Sequence, residues 1–217
     1  MKELDLFKEA GLPTDLSGLA NAYQTIAAET TGLGGKNLLR MDKSGEWCWG
    51  QESMEVDADS EIAFDPRTLA HGYISWGEGK VVGEEMMPFN KPKPEKDNLP
   101  HTGEQWNEQL SIAGKFISGE DAGVEIIYKT TSVGGLQAIR TLSGQIAGRL
   151  NEGIIYCVPI CKLQSSSYTH KQYGKIFKPE LVILRWYSID GKPEGNGQAE
   201  QETEDQPVRR RRRRSTN

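Results

Sequence analysis

A chain of 217 residues and 24.1 kDa has room for one filled domain with appendages and excludes two full ones. Hydrophobic residues make up 36%, mean hydropathy is −0.61, and 24 Gly and 10 Pro punctuate the sequence, so a core is expected in part of the chain only. The formal charge of −5 argues against nucleic acid until its distribution is read: Arg209 to Arg214 supply six charges, leaving 20 basic against 31 acidic residues elsewhere.

From the N-terminus, residues 1–36 read as an accessory helix and a glycine-rich linker. Leu16, Leu19, Tyr23, Ile26 and Ala27 keep helical spacing after Asp15 or Ser17 as a cap, and Gly32, Gly34 and Gly35 end the run. The sequence TTGLGGKN is not a phosphate loop, because its first required glycine is Thr30 and Lys36 is followed by Asn37. Residues 37–82 hold short strand-like pieces at 38–41, 46–49, 61–64 and 69–76, separated by Gly and Asp-Pro. Trp47 and Trp49 share a face by period two, and with Trp76 they are expected to anchor a core. The prolines of residues 88–100 forbid a regular element, which predicts an exposed loop.

Residues 109–117 and 124–131 predict a hairpin turned by Gly119 to Gly123. A helix follows, with Leu136, Ile139, Leu142, Ile146 and Leu150 on one stripe and Gly153 as its stop. Two apolar strands, 154–163 and 181–187, then flank a stretch in which Tyr168, His170, Lys171, Tyr173, Lys175, Phe177 and Lys178 alternate rings with cations, expected as a loop. Ammonium groups neutralise phosphates while rings stack on unpaired bases, so this pattern suits a single-stranded polyanion. Rings packed on their own sheet with merely solvated lysines are the structural alternative.

With residues 69–82 as the first strand, the order is β-β-β-α-β-β. That is the order of the OB-fold, a Greek-key barrel that commonly binds single-stranded nucleic acid or oligosaccharide. The expected architecture is therefore mainly β with helices: an OB-like barrel over residues 37–190, an N-terminal helix, and a disordered tail over 191–217. The tail is acidic from Glu194 to Asp205 and then runs Arg209, Arg210, Arg211, Arg212, Arg213 and Arg214, a segment able to grip phosphates, fold back on acidic surface or serve as an address.

The run from Tyr168 to Pro179 with the apolar strand ending at Trp186 resembles a segment of bacteriophage and prophage proteins, and the strand order is similar to that of phage single-stranded-DNA-binding proteins. The resemblance implies a protein that coats or protects DNA during replication or recombination. It also implies an acidic tail that recruits partners in those processes; the appended arginines depart from that pattern. The expected nucleic-acid contacts are Lys115, Lys129, Tyr168, Lys171, Tyr173, Lys175, Phe177 and Arg209 to Arg214.

Catalytic signatures are missing. His71, His101 and His170 sit in no recognisable motif, and Cys48, Cys157 and Cys161 are too few for a disulfide framework and lack a second pair for zinc. Asp57, Asp59, Glu61 and Asp65 alternate in a strand-like run able to ligate magnesium, but without an accompanying nuclease motif they read as a solvated face. The expectation is a non-enzymatic cytoplasmic protein with no cofactor, no membrane contact and possible self-association. The competing readings are a structural or partner-binding protein that uses its acidic surface and, ranked last, a metal-dependent nuclease.

Overall fold

A computed structural model describes residues 35–195. The helix expected before Gly32 and the tail beyond residue 195, including Arg209 to Arg214, lie outside the described residues. The described part is mainly β, with strands β1 (Asn37–Met41), β2 (Trp47–Trp49), β3 (Met54–Glu55), β4 (Glu61–Phe64), β5 (Ala70–Gly77), β6 (Lys80–Pro88), β7 (Trp106–Phe116), β8 (Glu125–Thr130), β9 (Val158–His170) and β10 (Gly174–Tyr187). One α-helix, α1 (Val133–Asn151), lies between β8 and β9.

Strand β7 organises the sheet. Along it Leu110, Ile112 and Phe116 point into the core while Gln109, Ser111 and Lys115 take the other face, the alternation of a pleated strand. One edge of β7 pairs with β8; the other is shared, with β5 against Trp106 to Ser111 and β4 against Gly114 to Phe116. The division falls at Pro66–Thr68, where Asp65 caps a 3-10 turn by accepting from the Arg67 amide, so the strand direction breaks. β4 then passes its free edge to β9, and β1 runs parallel to β8. The hydrogen-bonded path is β10-β9-β4-β7-β8-β1-β2-β3, with the β5–β6 hairpin branching from β7, so β8 and β10 are not paired.

The expected hairpin at 109–117 and 124–131 is present as β7–β8, and the helix is present with Leu136, Ile139, Leu142 and Ile146 buried. Ser132 caps α1 by accepting from the Gly135 amide, and Gly153 at φ 75 ends it. Two expectations change. Residues 69–82 are not one strand, because Glu78 and Gly79, both at positive φ, turn the chain into the β5–β6 hairpin. The ring-and-lysine stretch is not a loop: β9 and β10 extend through it, leaving only residues 171–173 as a turn. Residues 89–105 do lack strands and hold only a short 3-10 turn, Lys96–Asn98.

The core gathers Leu39, Trp47, Ile62, Phe64, Leu110, Ile112, Phe116, Ile126, Tyr128, Cys157 and Cys161 under the apolar stripe of α1. Trp76, expected inside, is exposed at the end of β5. A polar knot closes the side of the core beside β2 and β3. Asp121, 7% exposed, accepts from Trp49 Nε1, the Asp57 amide and the Ser60 hydroxyl, each at 2.9 Å. Removing that acceptor strands three donors, so Asp121→Ala is expected to lower stability by about 2–4 kcal/mol. Urea denaturation with an unchanged midpoint would contradict this.

A second tie joins β4 to β10, where Arg185 reaches Glu61 through two nitrogens at 3.0 and 2.5 Å. Those hydrogen bonds, more than charge alone, hold the Glu61 carboxyl below its ordinary 4.5. A depressed carboxylate contributes stability above the unfolded value that is lost as pH falls through the folded one. Glu61→Gln is therefore expected to flatten the pH dependence of stability below about pH 4.5. Acid titrations of unfolding that superimpose for the two proteins would show the pair contributes nothing.

Candidate functional site

The geometry of the site follows from unequal strand lengths. β4 pairs with β9 only over Ile160 to Lys162, so beyond Leu163 the two longest strands pair only with each other among the described strands. Residues 164–170 and 174–180 thus form a projecting two-stranded arm, about 23 Å long at roughly 3.3 Å per residue. Two contacts seat it. Trp47 Nε1 donates to the Gln164 carbonyl at 2.9 Å, and the Phe177 ring lies against Gly45 in the turn between β1 and β2. Gly45 has φ 90, and a Cβ there would overlap that ring.

Between the arm, the ends of β1 and β8 and the start of α1 lies a groove of about 880 Å³. Five basic residues line it, Arg40, Lys43, Lys129, Lys175 and Lys178, against one acid, Asp42. Asp42 is turned inward on its own loop. It accepts from the Ser44 hydroxyl and amide and from the Glu46 amide, bonds that hold its carboxyl below the usual range. Arg40 donates to the Ser53 hydroxyl. The first turn of α1 faces the groove through Ser132, Val133 and Gly134, placing the positive end of the helix dipole there as well. Tyr128 also lines the groove, and burial pushes its hydroxyl up to about 12.

Of the expected contacts, Tyr168, Lys175, Phe177 and Lys129 line this groove. Tyr168 is 46% exposed and has the Lys178 ammonium 5.8 Å from its ring centre. Phe177 is half-buried on Gly45, with Lys175 Nζ 4.6 Å from its ring centre, so it braces the arm. Lys129 is ion-paired with Glu84 at 3.0 Å. Lys171 and Tyr173 stand at the arm's tip. Tyr173, 68% exposed, stacks on His170 at 4.9 Å, and His170 Nδ1 accepts from the Gln172 and Tyr173 amides. Lys115 is exposed on β7, opposite Glu125 and apart from the groove.

Sequence reasoning missed Arg40, Lys43 and the β8–α1 junction. Arg40 and Lys43 are brought in by the parallel pairing of β1 with β8, a contact between residues some 90 apart that leaves no local mark. A narrower chamber of about 290 Å³ continues along α1, lined by Gln137, Ala138, Thr141, Lys178, Pro179, Glu180 and Leu181.

The acids weighed for magnesium are dispersed. Glu61 is held by Arg185, Asp65 is paired with Arg67, and Asp57 accepts from the Glu120 amide. Among the described residues no group of three His, Cys, Asp or Glu is placed to hold a metal ion. Cys48, Cys157 and Cys161 are free and buried, and burial pushes the Cys161 thiol up to about 12. No helix among the described residues is long and apolar enough to cross a membrane. Comparison with family models, curated proteins and solved structures finds no match.

The seating of the arm is open to test. Gly45→Ala displaces the Phe177 ring and is strained at its own φ, so amide exchange at 174–178 is expected to rise about ten-fold while β7 and β8 keep their protection. Unchanged exchange along the arm would mean that another contact holds it.

Proposed function

We propose that the protein binds single-stranded DNA without catalysis, coating or protecting it during replication or recombination as phage proteins of this kind do. The observation that carries the reading is the groove beside the arm, where five basic residues meet one internally bonded acid in a chain that is acidic overall. Cations there attract a phosphate backbone, and the exposed faces of Tyr168 and Tyr173 offer stacking worth about 1–3 kcal/mol per base. An unpaired strand can turn its bases onto those rings, whereas a stacked duplex presents none to them.

The finer architecture belongs to the same proposal. β5, β7, β8, α1, β9 and β10 follow an OB-like order, opened at the seam between β8 and β10 where the groove runs. The loop leading into the helix and the hairpin between the last two strands, here the arm, flank that seam.

Four groove cations have no acidic partner among the described ion pairs: Arg40, Lys43, Lys175 and Lys178. At about 0.7 counterions released per phosphate on a single strand, the slope of log K against log salt is expected near −2.8, steeper if Arg209 to Arg214 take part. Binding of a fluorescent dT oligonucleotide to the full chain should weaken about fifty-fold between roughly 50 and 200 mM salt. The double change Lys175→Glu with Lys178→Glu should weaken binding further and flatten the slope. No binding at low salt removes the proposal and leaves the partner-binding reading in its place.

A further inference from the structure

We infer that the side chamber beside α1 is a guanine subsite, so the protein favours single strands that carry guanine; the inference rests on the nucleic-acid reading above. Gly134 and Pro179 meet in a ridge between groove and chamber, a Cβ on Gly134 approaching Pro179 Cδ to 3.3 Å, and Gln137 and Lys178 line both sides of it. The chamber beyond measures about 290 Å³, which suits one base with part of its sugar and falls well short of a run of nucleotides. Ala138 on α1 and Pro179 and Leu181 on β10 give it apolar walls on which a flat ring can lie.

Its polar groups select the ring. Glu180 is half-buried, and among the described ion pairs it has no cation partner. Beside a cationic groove an unpaired carboxylate repels a phosphate backbone and is free to accept from a group that carries donors, with Lys178 lining the same chamber. An ionised carboxylate only accepts hydrogen bonds and has two oxygens side by side. Guanine is the base whose pairing edge presents two adjacent donors, N1–H and the N2 amine; adenine and cytosine present one donor beside an acceptor, and thymine one donor between two acceptors. On α1, which supplies the rest of the lining, Gln137 Nε2 donates to Thr141 Oγ1 at 3.4 Å, which leaves the threonine hydrogen free to point elsewhere. Guanine O6 is an acceptor next to N1 and suits that hydrogen.

The test uses full-length protein and dT oligonucleotides with a single central dG, inosine, dA or dC, read by fluorescence anisotropy at low salt. The dG strand should bind about ten-fold tighter than all-dT, with inosine, which lacks the N2 amine, in between. Glu180→Gln replaces one acceptor with a donor that opposes the N2 amine. It should bring dG down to the level of dT while leaving all-dT binding intact or slightly stronger. Equal affinity for dG and dT in the unaltered protein overturns the inference, as does a dG preference that survives Glu180→Gln, and in both cases the single-strand reading stands. Failure to bind any of these strands, all-dT included, overturns that reading and the subsite with it.

Discussion

The mismatch between a four-residue β4 and the 13- and 14-residue strands beside it shapes this molecule. Ladder hydrogen bonds from β4 can satisfy only the first part of β9, and the remainder must pair with β10 or with water. The result is an arm that carries its own backbone bonds and leans on the sheet through side chains. Two-stranded ribbons are marginal alone, so the contacts made by Phe177 and Trp47 decide where the arm stands and how wide the groove is. Everything proposed about function depends on that width.

The same strand lengths decide which charges meet. Acidic residues outnumber basic ones in the sequence, yet three of the acids on the sheet are already bound to cations. Glu84 answers Lys129 and Gln109; Glu108 answers Lys93 and Arg140, whose hydrogen bonds hold its carboxyl below the ordinary range; Glu61 answers Arg185. Such pairs cancel locally and project little field. Arg40, Lys43, Lys175 and Lys178 are not cancelled in this way, so the groove stands out by what remains unpaired.

Several elements were legible from residue pattern alone. The stripe from Leu136 to Ile146 specifies α1, and the alternation on either side of Gly119 to Gly123 specifies β7 and β8. The arm was not, because its sequence alternates rings and lysines in a way that suits both an exposed loop and a ribbon solvated on two faces. Only cross-strand partners distinguish the two, such as Tyr168 opposite Ile176 and Ser167 opposite Phe177. The β5–β6 turn was hidden for a different reason: Glu78 adopts a positive φ without the Asn or Asp that usually announces it. Half of the groove was therefore written in the run from Tyr168 to Lys178, and the other half, from β1 and the start of α1, existed only once long-range pairing was known.

Those two halves contribute different physics. The arm's side supplies the rings and two of the five cations, Lys175 and Lys178, which on the proposed reading would hold any strand and read little. The α1 side supplies a fixed helix flank with Gln137 and Thr141 one turn apart, facing a strand segment stiffened by Pro179. Rigid elements can hold hydrogen-bonding groups at set distances in a way that a seated arm cannot, so on the proposed single-strand reading discrimination between bases would fall to the α1 side. Glu180 sits where they join, on the arm's last pair with β9 before the sheet begins, and it lines the chamber beside α1 rather than the groove itself.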